Sequence, residues 1–296
     1  MVPLVPVTMH HVRQGRGPTL LLIHGLGSSW RTWDPVLATL AAEREVIAVD
    51  LPGFGETPPL PGEVTIATLA DAIEAFMAEQ SLDGTAVVGS SMGGRLALEL
   101  ARRGLVGATV ALDPGGFWTP IERRVFATSV AASYRLVKIL QPVMPAITGN
   151  PVGRTALLAQ FSSAPWRLPG DLVLREMRSF VGGRSFEAAL RDLAHGAPQE
   201  GMARGAARGP IVIGWGRHDR VTLPRQAPRA LARFPDARVH WFEHAGHFPH
   251  WDAPDEAARL ILDSAPSIPI PTPGDVHGAK SEHRSAGAPR REHQQG

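Results

Sequence analysis

Short apolar runs alternate with stretches of helix-forming residues along the first 116 positions and again after residue 200. Seven of these runs predict β-strands, near residues 5–12, 19–23, 45–49, 85–89, 107–112, 210–215 and 237–242. The intervening stretches predict helices, near residues 30–41, 66–79, 91–103, 225–234 and 254–263. Strands that alternate with helices form a mostly parallel central sheet flanked by helices on both faces, so the pattern predicts an α/β fold.

The alternation stops after the fifth predicted strand. Residues 117–200 form helical segments separated by prolines, which divides the fold into a core of residues 1–116 and 201–266 and a helical insertion. Most apolar side chains of this insertion must pack its helices together, but an excess would line an apolar pocket. The apolar candidates are Phe117, Trp118, Phe126, Tyr134, Leu136, Val137, Ile139, Leu140, Val143, Met144 and Ile147.

Composition changes again at residue 267. Residues 267–296 are first proline-rich and then polar, and they contain too little apolar surface to form a core. We expect a disordered tail there.

Charge and composition exclude several classes of function. Cysteine is absent and no apolar run reaches the roughly 20 residues that a membrane helix needs. The N-terminus has no signal-peptide pattern, so we expect a cytoplasmic protein without a membrane span. The formal net charge is only +2, and no basic cluster alternates with aromatic residues, which argues against nucleic acid as a partner.

The clearest chemical signal is a Gly-x-Ser-x-Gly pentapeptide, residues 89–93, between a predicted strand and a predicted helix. A serine on such a sharp strand-to-helix turn has an exposed hydroxyl, and the flanking glycines leave room for the turn. The following helix directs its N-terminal N–H groups toward negative charge that develops beside the serine. Ser91, the central residue, is therefore a candidate nucleophile.

A serine nucleophile needs a base, and the base needs an orienting acid. Candidate acids lie just past two predicted strands, Asp113 after 107–112 and Asp219 after 210–215. Three histidines follow the last strand as candidate bases, His244, His247 and His250. Carboxyl ends of parallel strands share one edge of a sheet, which is where an open α/β fold builds its site.

These features together resemble the α/β-hydrolase superfamily, in its capped esterase and carbon–carbon hydrolase-like branch. The resemblance covers roughly residues 5–265 and rests on the Gly-x-Ser-x-Gly motif, the Gly-x-x-Asp-x-Val-x-x-Pro context of Asp219 and the glycine before His247. It implies the order Ser91, Asp219, His247 for the catalytic triad, and a helical cap at 117–200.

The same resemblance assigns the oxyanion hole and a reaction. The loop His24-Gly25-Leu26-Gly27 implies one donor at the backbone N–H of Leu26, and the residue after the nucleophile implies the other, at Met92. His24 itself is expected to hold structure by hydrogen bonds. The expected reaction is hydrolysis of carboxylic esters or related acyl compounds through an acyl-enzyme on Ser91. It requires no cofactor, and we expect apolar small-molecule substrates.

Other hydrolases of this fold are alternatives that the sequence distinguishes to different degrees. Haloalkane dehalogenases and epoxide hydrolases use an aspartate where this chain has Ser91. Carbon–carbon bond hydrolases share Ser91-Met92-Gly93-Gly94 and Trp251, but they usually have asparagine before the nucleophile and tryptophan after the histidine. Ser90 and Phe248 stand at those positions. Cofactor-free perhydrolases share the triad but typically have little or no cap.

Two interpretations lie outside serine hydrolysis. A hydrolase-fold protein that only binds a ligand usually lacks a triad residue, whereas all three are present. The series His240, His244, His247 and His250 has spacings that could suit a metal, but no cluster of carboxylates or cysteines completes a ligand shell.

Overall fold

A seven-stranded sheet runs through residues 7–265, the part of the chain that the computed structural model describes. Its spatial order is β1-β3-β2-β4-β5-β6-β7; β1 is antiparallel to β3 and every other pairing is parallel. The strands are β1 His11–Gln14, β2 Thr19–Ile23, β3 Glu45–Val49, β4 Ala86–Ser90, β5 Thr109–Leu112, β6 Ile211–Gly216 and β7 Arg238–Phe242. The predicted mostly parallel α/β architecture is confirmed.

The first strand is the one that the sequence pattern placed wrongly. Its apolar run predicted a strand over 5–12, whereas β1 begins at His11 and continues to Gln14. The partner strand sets these limits, because His11 pairs with Val49 and Gln14 with Val46, so the antiparallel ladder ends where β3 ends. Residues 1–6 lie outside the described part.

Alternate residues of the sheet bury their side chains on opposite faces, as the period of two in a strand requires. In β2, Leu21 and Ile23 join the apolar core on one face, and Leu20 and Leu22 join the core on the other. All four have no exposed surface. The first core continues without interruption into the helices between β5 and β6, so the insertion shares the core of one sheet face.

Helices cover both faces of the sheet. Residues 7–265 contain α1 Asp34–Ala41, α2 Ile66–Glu79, α3 Met92–Arg102, α4 Pro120–Leu140, α5 Met144–Gly149, α6 Pro151–Leu158, α7 Gly170–Gly182, α8 Phe186–His195, α9 Ala227–Arg233, α10 Pro249–Asp252 and α11 Pro254–Ser264. Helix α2 has the predicted bounds, and α11 extends the predicted 254–263 by one residue.

Three predicted helices begin later than the pattern indicated, each for a local reason. Residues 30–33 and 224–226 form short 3₁₀ turns, and the α-helices that follow carry Pro35 and Pro228 in their first turn, where a missing N–H costs nothing. Helix α3 begins at Met92 because Ser91 has a φ of 56°, outside the right-handed helical region.

Five helices, α4 to α8, lie between β5 and β6 and within residues 117–200. The first of them begins with a capping box, in which Thr119 and Glu122 exchange side-chain and backbone hydrogen bonds. The buried Glu122 carboxylate also pairs with Arg225, at 2.6 Å, and with Arg229. These ion pairs join the start of the insertion to the core segment that contains α9.

The predicted tail, 267–296, lies outside the described residues. Within 7–265, no helix combines the length and apolar character that crossing a bilayer requires.

Candidate active site

Ser91 stands on a sharp turn between β4 and α3. Its φ of 56° and ψ of −114° are strained for a residue with a side chain, and its N–H donates to Leu112 O at 2.8 Å. A Cβ on Gly89 would lie 2.0 Å from Gly93 O, and one on Gly93 would lie 2.1 Å from Ile23 O. The two flanking glycines are therefore required for strand, turn and helix to pack at this distance.

The three residues of the expected triad form a chain of two hydrogen-bonding contacts, with His247 in the middle. Ser91 Oγ is 2.8 Å from His247 Nε2, and His247 Nδ1 is 2.9 Å from Asp219 Oδ2. They come from the loops after β4, β7 and β6, which open at the same edge of the sheet. His247 and Asp219 are buried, whereas Ser91 is half-buried and lines a cavity.

The Asp219 carboxylate is held by its own loop. Oδ1 accepts from the backbone N–H groups of Val221, at 2.7 Å, and Thr222, at 3.1 Å, and Oδ2 accepts from the Thr222 hydroxyl at 2.7 Å. Burial opposes ionisation, but the charge of His247 and hydrogen bonds from His247, Asp113 and the Thr222 hydroxyl lower the pKa of Asp219 below its ordinary value. Asp219 is thus an ionised acceptor facing the imidazole.

Asp113, the other candidate acid, lies beside Asp219 but is arranged differently. Its Oδ1 accepts from the Gly216 N–H at 2.9 Å, and it has no hydrogen bond to His247. Burial and the nearby Asp219 charge raise the pKa of Asp113 well above its ordinary value. Of the two carboxyl groups, Asp113 is therefore the one that binds a proton more readily. Its φ of 45° makes it, with Ser91, one of three non-glycine residues with positive φ in 7–265.

The remaining histidines have separate environments. His244 is exposed, and His240 Nε2 lies 2.9 Å from Glu256 Oε1. His250 is buried against Trp33, and burial, with a smaller effect of His247, lowers its pKa to about 3. Within 7–265, the one group of His, Asp and Glu with metal-ligand spacing is Asp113, Asp219 and His247, so the four-histidine cluster does not form there.

The loop after β2 brings Leu26 to the cavity beside Ser91. His24 fixes this loop, because its Nδ1 lies 2.7 Å from Gly25 O and its Nε2 accepts the Leu51 N–H at 2.9 Å. The Leu26 and Met92 N–H groups donate to no other group among residues 7–265. Met92 is the first residue of α3, whose opening N–H groups have no partner within the helix.

The cavity in front of Ser91 has a volume of about 50 Å³, measured as the space open to the centre of a water-sized sphere, and its walls are mainly apolar. The insertion supplies half of its lining. The lining residues are Leu26, Gly27, Ser28, Ser91, Phe126, Val130, Leu158, Phe161, Glu176, Met177, Phe180, Leu193, Val221, His247, Phe248 and Trp251.

Of the apolar insertion residues proposed from sequence for a pocket, Phe126 lines this cavity. Leu136, Ile139 and Val143 are instead exposed, by 52%, 75% and 51%. Val137 and Met144 are buried in the core. Composition identified an apolar segment, but the side of each helix that faces the cavity is set by how the helices pack.

Sequence reasoning missed two polar residues of the cavity wall, Ser28 and Glu176. The Ser28 hydroxyl donates to Glu176 Oε2 at 2.8 Å across 148 residues of sequence. A signal for Glu176 was available, because it shares a face of α7 with Leu172, Val173 and Phe180, at the i, i+4, i+8 spacing of a buried stripe. A glutamate on such a stripe indicates either a buried pair or a site.

The insertion also holds the loop that carries His247. The His247 N–H donates to Phe161 O at 2.8 Å, and Asp252 Oδ2 accepts from the N–H groups of Ser163, at 2.8 Å, and Gly246, at 2.7 Å. The position of the imidazole therefore depends on the insertion as well as on the sheet.

A family model described as the alpha/beta hydrolase family matches residues 20–260. An uncharacterised protein of Mycobacterium tuberculosis is 29% identical over 276 residues, covering 86% of this chain and 77% of that protein. A 2-hydroxy-6-oxononadienedioate/2-hydroxy-6-oxononatrienedioate hydrolase of Dechloromonas aromatica is 26% identical, covering 86% and 89%.

Among solved structures, a thermophilic esterase from Thermogutta terrifontis superposes with a TM-score of 0.67. The match covers 86% of this chain and 92% of the esterase, at 20% identity. At that identity the likeness shows a shared fold and nothing about substrate.

Proposed function

Because this chain belongs to the alpha/beta hydrolase family, we propose that it is a serine hydrolase that cleaves carboxylic esters or related acyl compounds. The observation that carries the proposal is the 2.8 Å contact between Ser91 Oγ and His247 Nε2, with the same imidazole bonded to an ionised Asp219. This arrangement turns a weakly nucleophilic hydroxyl into an attacking group at neutral pH.

Each proton transfer has a named group. His247 Nε2 takes the Ser91 proton while Oγ bonds to the substrate carbonyl carbon, and Asp219 stabilises the imidazolium that forms. The leaving alkoxide takes that proton when the ester C–O bond breaks, which leaves an acyl-Ser91 and a free alcohol. His247 then deprotonates a water that attacks the acyl carbon, and the carboxylic acid leaves as Ser91 regains its proton.

The developing oxyanion needs donors that are already in place. The N–H groups of Leu26 and Met92 are available, since neither is used by another group in the described chain. Two such donors typically stabilise the transition state by about 3 kcal/mol or more. Their role here is part of the proposal.

The walls of the cavity suit a substrate with an apolar acyl or alcohol moiety. Phe126, Phe161, Phe180, Phe248 and Trp251 contribute five aromatic rings to its walls. Such walls gain free energy by removing hydrocarbon from water.

A carbon–carbon bond hydrolase is the second candidate, and the Dechloromonas aromatica relative is named as a hydrolase of two dioates. A dicarboxylate substrate needs cationic partners when it is buried. Among the described residues that line the cavity there is no lysine or arginine, and there is a glutamate. The ester proposal therefore suits this cavity better.

The test combines covalent labelling with turnover. A fluorophosphonate should add once to the intact protein, and the adduct should map to Ser91; p-nitrophenyl esters of increasing acyl length should be hydrolysed, with one preferred length. Ser91→Ala should lose both. Ser90→Ala is the matched control, since Ser90 is buried and its hydroxyl has no partner among residues 7–265.

Other results of the labelling and turnover experiment would support a different function or a different nucleophile. If Ser91 is labelled but no ester is hydrolysed, and the protein instead cleaves a carbon–carbon bond in a 2-hydroxy-6-oxo dioate, the second candidate function would be supported. No labelling and no turnover would favour a protein of this fold that binds a ligand without chemistry. Ester hydrolysis that survives Ser91→Ala would contradict the nucleophile.

A further inference from the structure

Two side chains on the wall of the Ser91 cavity can carry charge, His247 and Glu176. The mechanism uses the first and leaves the second without a role. Glu176 lies on α7 with only 4% of its surface exposed, beside the apolar Met177 and Phe180 of the same wall. A carboxyl group in such a place needs an explanation, because burial of an ionisable group costs free energy unless a partner compensates.

The partners of Glu176 leave part of the carboxyl group unused. Ser28 donates to Oε2 at 2.8 Å, and Oε1 makes no hydrogen bond with any of residues 7–265. The adjacent cation compensates only in part, since the Arg175 guanidinium lies 2.6 Å from Asp171 and 3.2 Å from Asp34. Glu176 thus contributes to an apolar cavity an acceptor that has no salt bridge with any of residues 7–265.

A purely structural role explains this poorly. One hydrogen bond from a serine hydroxyl needs only a neutral acceptor, and a glutamine would supply it without the desolvation cost of a carboxylate. An apolar residue would match the rest of the wall. A carboxylate at this position becomes favourable when a hydrogen-bond donor on a bound ligand pairs with its unused oxygen.

We propose that Glu176 and Ser28 form a subsite that binds a hydrogen-bond-donating group, a hydroxyl or a protonated amine, carried by the otherwise apolar part of an ester substrate. This inference rests on the proposed function for its reaction, but the binding itself does not require turnover. The favoured substrates are then hydroxy- or amino-substituted esters rather than plain alkyl esters.

The kinetic test compares pairs of p-nitrophenyl esters that have equal numbers of heavy atoms. In each pair a terminal methyl group is replaced by a hydroxyl, or by an ammonium, and the chain is lengthened one carbon at a time. At one length the substituted ester should have the higher kcat/KM, by about tenfold or more, as for a hydrogen bond to a charged group.

Glu176→Gln should reduce this preference, and Glu176→Leu should reverse it. Glu187→Gln, an exposed glutamate on α8, is the matched control.

The pH dependence gives a readout that a structural role would not change. Burial raises the pKa of Glu176 to about 7, while the Ser28 hydrogen bond and Arg175 act against this and Asp34 adds to it. His247 lines the same cavity, but it serves as the base for both esters of a pair, so its contribution cancels in their ratio. The preference for the hydroxylated ester should therefore rise as pH increases through about 7, and it should be flat in Glu176→Gln.

Binding to Ser91→Ala separates failure of this inference from failure of the proposed function. Calorimetric titration with 1,n-alkanediols and with alkanols of equal size should show tighter binding of the diol at one length, and Glu176→Leu should abolish the difference. If plain and substituted esters are hydrolysed equally well through Ser91 in every variant, the subsite is wrong and the hydrolase proposal stands. If Ser91-dependent hydrolysis is absent, diol preference in Ser91→Ala supports the subsite, and equal affinities overturn it.

Discussion

The sheet edge and the helical insertion contribute to the same cavity by different means. At the sheet edge, three short loops place Ser91, Asp219 and His247 in one hydrogen-bonded chain, with distances of 2.8 and 2.9 Å. The insertion places apolar side chains opposite them, together with the carboxyl group of Glu176. Under the proposed function, the first region carries out bond cleavage and the second selects the molecules that fit.

The two regions also differ in how their positions are encoded. The serine turn is a local structure, because Gly89 and Gly93 are needed within two residues of Ser91 for the backbone to pack. The insertion wall is assembled from four helices and the connecting segment at Phe161, so its shape depends on contacts between distant residues. Changes at the sheet edge should therefore affect all substrates alike, whereas changes in the wall should discriminate between them.

The largest expected effect tests the sheet edge. Asp219→Asn should lower kcat by about 10⁴-fold for every ester, because the amide no longer favours the imidazole tautomer that accepts the serine proton. Asp113→Asn is the matched control; Asp113 has no hydrogen bond to His247, so the amide should change kcat by less than about tenfold. Steady-state kinetics on two esters of different length would measure both. A large loss in Asp113→Asn and a small one in Asp219→Asn would assign the acid to the other strand.

The sequence predicted most of this first region. Strands at 19–23 and 45–49 have the predicted bounds, because buried parallel strands form continuous apolar runs. The loops after β4, β6 and β7 were identified from glycines and polar residues at strand ends, which are local features. The Gly-x-x-Asp-x-Val-x-x-Pro context of Asp219 and the glycine before His247 then favoured one of two aspartates and one of three histidines.

The second region could be predicted only in outline. The sequence predicted that some apolar side chains of 117–200 would line a pocket, but Leu136 and Ile139 face solvent while Val130 and Leu158 face the cavity. A helix with apolar residues on several sides does not indicate which side will be buried until its neighbours are placed. Ser28 and Glu176 are 148 residues apart, so no local pattern links them.

The prediction of intermediate size concerns the carboxyl group of Glu176 in the insertion wall, and it is tested by measuring the free energy of unfolding. The pKa of Glu176 is about 7 in the folded chain and about 4.5 when the side chain is in water, so the folded state binds more protons between those values. The free energy of unfolding contributed by this group is therefore greatest below about pH 4.5 and is lost as pH rises through 7.

Denaturant unfolding at pH 5 and pH 8 should reveal this loss. Relative to Glu176→Gln, the wild-type chain should lose about 2 to 3 kcal/mol more on going to the higher pH, and other titrating groups cancel in the comparison. Glu187→Gln should follow the wild type. Parallel curves for wild type and Glu176→Gln would mean that Glu176 is solvated in the folded state, which would weaken the argument for its subsite.

The smallest expected effect tests whether the insertion selects substrates by size. Val130 and Val125 both lie on α4, but Val130 is 3% exposed and lines the cavity, whereas Val125 is 57% exposed. Val130→Ala removes two methyl groups from the wall, so the preferred acyl chain should lengthen by one or two carbons. The ratio of kcat/KM between adjacent lengths should change by about tenfold, the range for one methylene in an apolar pocket.

Val125→Ala should leave the ester profile unchanged, because its side chain faces solvent on the same helix. If both variants keep the wild-type profile, chain length is set by the sheet-edge residues Leu26, Val221 and Phe248, and the insertion covers the cavity without selecting what enters it.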